Sequence, residues 1–86
     1  MQTADIKDDM RSVLWQVVED CIGRGPGYAQ QGVVLRQAAN QLGISGDTRK
    51  EQVLLNLWHD LFRNGDLVWG LNVDNPGPPW FHLPNG

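Results

Sequence analysis

Apolar and polar positions divide this chain into four segments. Ile6, Met10, Val13, Leu14, Val17, Val18 and Cys21 recur at the i, i+4, i+7, i+8 spacing of one helical stripe and predict a helix over residues 5–22. Asp5, Asp8 and Asp9 lie in its first turns, where carboxylates complement the positive end of the helix dipole. Gly23 to Gly27, with Pro26 inside, ends it as a loop. Residues 28–34 read as a short strand or an extended lead into a second helix over 34–42, which turns Leu35, Ala38, Ala39 and Leu42 inward. Gly43 supplies the left-handed residue that closes this helix, and Ile44 drops into the core behind it.

A third helix is predicted over 47–64. Thr48 to Glu51 has the form of a capping box, with Ser45 and Asp47 also competent N-caps. At 100° per residue, Leu54, Leu55, Leu57, Trp58, Leu61 and Phe62 gather on one side and Val53 falls at the boundary. Arg49, Gln52, Asn56, His59 and Arg63 gather on the other, with Thr48 beside them. After Asn64-Gly65-Asp66, the residues Leu67, Trp69, Leu71 and Val73 alternate with Val68, Gly70 and Asn72 at the period of a strand. Trp80 to Leu83 can pair back, closing a hairpin over 66–83 around a long loop that contains Pro76, Pro78 and Pro79. Four tryptophans in so short a chain supply buried area that a small core otherwise lacks, so most are expected to cap the core.

Trp15 departs from this pattern. It projects away from the apolar stripe of the first helix, so it either marks an interface, such as a dimer contact, or is covered within its own domain.

Eighty-six residues make a single small domain, and a composition 41% hydrophobic and 20% charged excludes a disordered chain. No apolar run approaches a membrane span, and the first residues lack the basic and apolar regions of a signal peptide. Cys21 stands alone, which fits a reducing, cytoplasmic setting. With His59 and His82 as the only histidines, no metal site and no cofactor are expected. Neither a paired nucleophile and base nor a strand-preceded phosphate loop is present, so no enzyme is expected.

The net charge of −3 is unevenly spread. Residues 1–23 carry Lys7 and Arg11 against Asp5, Asp8, Asp9, Glu19 and Asp20, a balance of −3. Residues 24–63 carry Arg24, Arg36, Arg49, Lys50 and Arg63 against Asp47, Glu51 and Asp60, a balance of +2. Asp66 and Asp74 add −2. Positive charge therefore collects in the helix-turn-helix segment, where local field matters more than the total.

The chemistry of the third helix points the same way. A merely solvated helix face is commonly filled with Glu and Lys, whereas this one carries Arg, Gln, Asn and His. Arg pairs bidentately with guanine, and Gln or Asn with adenine, in the major groove. Arg49, Gln52 and Asn56 are thus candidate base readers, and Arg36, Thr48, Lys50 and Arg63 candidate phosphate contacts. The loop of the hairpin carries no Arg or Lys and places Asp74 near any phosphate it approaches. Three or four cationic contacts give a salt slope of only about −3, so a monomer is expected to bind DNA weakly and to need a dimer or a neighbouring domain.

The Leu42-Gly43-Ile44-Ser45 turn, the Leu54, Leu57, Trp58 and Leu61 helix core, and Gly65-Asp66-Leu67-Val68 leading into the hairpin together resemble the winged helix-turn-helix superfamily. The resemblance covers nearly the whole chain and rests on pattern order. It implies an α+β fold with a three-helix core and a C-terminal β-hairpin wing. It also implies a module that binds double-stranded DNA with its third helix in the major groove, as the N-terminal domain of a larger or oligomeric bacterial-type transcription regulator. Members of the superfamily also act as protein-protein interaction or dimerisation domains, and the acidic balance keeps that alternative open.

Overall fold

The computed structural model describes residues 3–84, and side-chain surroundings from residue 9 onward; the surroundings expected for Asp5, Ile6 and Asp8 lie outside the described residues. Three helices and three short strands follow one another as α1 (Thr3–Arg24), β1 (Tyr28–Gln30), α2 (Gln31–Leu42), α3 (Thr48–Arg63), β2 (Val68–Trp69) and β3 (Trp80–His82). The strands form one antiparallel sheet in the order β1-β3-β2, giving an α+β fold. Among the described residues no helix is long and apolar enough to cross a membrane.

The stripe of α1 supplies Met10, Leu14, Val17, Val18 and Ile22 to the core, with Val13 and Cys21 half-buried beside them. The helix outlasts its expected end at Ile22 by one half-turn. Arg24 secures that half-turn by donating from Nε to the Asp20 carbonyl at 3.3 Å and pairing with the Asp20 carboxylate at 3.1 Å. Trp15 is half-buried and packs against the core cluster, as expected of a tryptophan covered within its own domain.

The second helix differs more from expectation. It begins at Gln31, three residues before the expected 34, with Gln30 as an extended N-cap that makes no side-chain capping bond. A tertiary contact takes the place of the cap, because the Gln31 amide donates to the Pro79 carbonyl at 2.9 Å. Val34 is fully inside and Leu35 and Leu42, expected inward, are half-buried, while Ala38 and Ala39 are buried as expected. The helix ends at Gly43 with φ +70°, a conformation that suits glycine, and Ile44 is buried behind it.

Helix α3 begins one residue later than expected, because Asp47 is the N-cap among the three candidates. Its carboxylate accepts from the Lys50 amide at 3.3 Å, while Glu51 reaches back to the Gly46 amide at 3.1 Å. Ser45 instead donates its hydroxyl to Asn40 Oδ1 at 2.7 Å. Leu54, Leu57, Trp58 and Leu61 are buried, but Leu55, expected inside, is 39% exposed. Leu55 sits at the edge of the apolar arc, over the gap between α2 and α3, where no element covers it.

Trp58, fully buried, is the junction of the fold. Its ring meets Phe62, Trp69 and Phe81 edge to face at 5.0, 6.2 and 5.0 Å. Its indole N–H donates to Gln31 Oε1 at 3.2 Å, so α3, the sheet and the start of α2 are tied at one side chain. Phe62 stacks on Trp69 at 3.8 Å.

The hairpin is shorter than its alternation suggested. The β2 ladder stops after Trp69 because Gly70 adopts φ +119°, and a Cβ there would lie 2.8 Å from the Pro76 carbonyl oxygen. The chain then turns through Asn72 to Asn75, where the Asn72 side chain accepts from the Asn75 amide at 2.8 Å. Val73, where the strand alternation and the expected loop of residues 72–79 overlap, sits at the tip of this turn and is 93% exposed.

Candidate nucleic-acid interface

Helix α3 brings most of the expected site residues to one face. Burying Leu54, Leu57, Trp58 and Leu61 fixes the rotation of the helix, so the opposite positions face water by geometry alone. Thr48, Arg49, Gln52, Asn56, His59 and Arg63 are all exposed there. From Arg49 to Arg63 the row spans about 21 Å at the rise of an α-helix, and the major groove is wide enough to admit such a helix. Gln52 and Asn56 are one turn apart, so both amides point into the same space beyond the helix.

Arg36 is separate from this row. It is exposed on α2, at the rim of the groove that α2 forms with the first half of α3, across from Leu55. Lys50 is exposed in the first turn of α3 rather than on its central face. Trp15 lies on α1 and takes no part.

The electrostatics are weaker than the charge balance of residues 24–63 suggested. Arg63 pairs with Asp60 at 3.1 Å and Arg24 with Asp20 at 3.1 Å, both on exposed surface where such pairs contribute little to stability and offset part of each cation's charge. Among the described residues, Arg36, Arg49 and Lys50 are the cations of this segment outside an ion pair. From Asp47 to Arg63 the charges of Arg49, Lys50 and Arg63 cancel those of Asp47, Glu51 and Asp60. Asp47 and Glu51 take the Lys50 and Gly46 amides at the α3 N-terminus, so what that end offers a phosphate is the side chains of Thr48 and Lys50 rather than these amides or an unanswered dipole.

Two things were hidden from the periodicity. The Asp60–Arg63 pair has i, i+3 spacing and was legible in principle. The approach of Glu51 to the Gly46 amide depends on the conformation of the turn, where Gly46 has φ +90°. Comparison with protein-family models, curated proteins and solved structures gives no match to this chain.

Proposed function

We propose that this domain is a winged helix-turn-helix module that binds double-stranded DNA, with α2 and α3 as the helix-turn-helix pair and the β2–β3 hairpin as the wing. The observation that carries the reading is the exposed row Arg49, Gln52, Asn56 on α3, side chains suited to base edges and free of packing duties. Arg49, Gln52 and Asn56 read bases, and Arg36, Thr48 and Lys50 hold phosphates. Arg63 joins them when it exchanges Asp60 for a phosphate. Binding is modest and salt-sensitive, with a slope of about −3, and a second DNA-contacting unit raises it to useful strength.

The test is fluorescence anisotropy with a mixed-sequence duplex at low and moderate salt. Wild-type protein binds at low salt, and Arg49→Ala weakens binding about tenfold, the loss of one good charged contact. Absence of binding at low salt, or indifference to Arg49→Ala, overturns the reading.

A second reading, a protein-interaction domain of the same architecture, is favoured by one observation. The loop joining β2 and β3 holds Val73 almost wholly in water beside Asp74 and has no cation, a poor surface for phosphates.

A further inference from the structure

The outer side of α2 carries a second surface, distinct from the α3 row. Val33 is 55% exposed at its centre, an apolar β-branched side chain with no cover. On one side Val33 borders a shallow depression floored by Ala29 and Trp80 and edged by Arg24. On the other it borders a depression edged by Arg36 and lined by Gln30, Gln37 and Asn40. Tyr28 packs edge to face on Trp80 at 5.6 Å and holds that ring in place. Neither depression is lined by a carboxylate, although the chain has ten Asp and Glu residues.

We propose that this face docks an acidic segment of a partner protein through an apolar side chain seated against Val33 and Trp80, with carboxylates reaching Arg24 and Arg36. The argument is charge complementarity around an apolar centre. An arginine at each end of this lining, with Asp20 as the one carboxylate paired to them, favours a negatively charged partner. An apolar centre of valine and tryptophan gains nothing from a phosphate backbone but buries a leucine or aromatic side chain well. Arg24 holds Asp20 with one edge only, and the remaining donors of its planar fork stay available. The surface is independent of the DNA reading except for Arg36, which stands between the two.

The probes are short synthetic peptides alternating glutamate with leucine or tryptophan, and counterparts with lysine in place of glutamate. They are titrated into the isotope-labelled full chain and followed by amide and indole NMR shifts. The glutamate peptides shift Ala29, Val33, Gln37 and the Trp80 indole, and the lysine peptides do not. Val33→Ser, which removes the apolar anchor without adding charge beside Arg36, weakens peptide binding about tenfold, as loss of a central anchor does, and leaves duplex-DNA anisotropy unchanged. Arg24→Glu, a change on an exposed side chain, also weakens peptide binding and serves where Val33→Ser disturbs the fold. The proposal is overturned if no glutamate peptide binds, if lysine peptides bind equally, or if shifts fall on α3. It is also overturned if duplex DNA shifts the Val33 face in preference to α3.

Discussion

The outer face of α3 and the β2–β3 hairpin are neighbours joined through the same buried tryptophan, yet they offer solvent opposite chemistry. The helix turns out Arg49, Gln52, Asn56 and His59, all polar and rich in hydrogen-bonding groups. The hairpin loop turns out Val73, Asp74 and three prolines, with no cation. The loop is nonetheless well fixed: Asn72 and Asn75 bond to each other, and His82 Nδ1 lies 2.7 Å from the Gly70 carbonyl oxygen. A surface can therefore be rigid and still poorly suited to an anion, and what separates these regions is donor chemistry rather than order.

The comparison breaks most completely at the residue the regions share. Trp58→Ala removes the contacts with Phe62, Trp69 and Phe81 together and orphans Gln31 Oε1. A buried Trp→Ala change costs about 3–5 kcal/mol. That is a large share of the stability of any small domain, so urea unfolding should show the midpoint collapse and both regions melt together. Gly70→Ala acts on the hairpin alone. It puts a Cβ against the Pro76 carbonyl at a positive φ and costs about 1–3 kcal/mol, read as lost near-ultraviolet dichroism from Trp69 with helical signal retained.

Asp47→Ala acts on the helix alone. It removes the carboxylate that accepts from the Lys50 amide and costs about 1 kcal/mol in urea unfolding. The smallest change sharpens the contrast instead of breaking it. Asp74→Lys places a cation on the hairpin loop and should steepen the salt slope of DNA binding by about 0.9, with stability unaltered. An unchanged slope would mean that the loop stays away from the duplex.

The legible parts of the fold were those set by local chemistry. Gly43 and Ile44 close α2 as glycine and a following apolar residue demand, and the spacing of Leu54, Leu57, Trp58 and Leu61 oriented α3 correctly. What local pattern could not carry was set by distant partners. Helix α2 starts at Gln31 because Pro79, far along the chain, accepts its amide. A short strand within residues 28–34 is expected from the sequence, but its partner is not: Tyr28, Ala29 and Gln30 pair with His82, Phe81 and Trp80 of the last strand. Val73 left the strand pattern because Gly70 turned the backbone first. Within the candidate site, the face of α3 is readable from its period and the charges from the sequence, but which amides Asp47 and Glu51 take is set by the conformation of the turn. The Val33 surface is not legible in the sequence, where residues 28–34 read as a strand or extended lead, because its exposure follows from the helix beginning at Gln31.

The most direct measurement is an NMR titration of the labelled chain with a mixed-sequence duplex at low salt. If α3 is the contact surface, the side-chain amides of Gln52 and Asn56 and the backbone of Arg49 shift first and furthest, and moderate salt reverses them. Shifts confined to the hairpin loop or to the Val33 face, with Gln52 and Asn56 unmoved, would contradict the account.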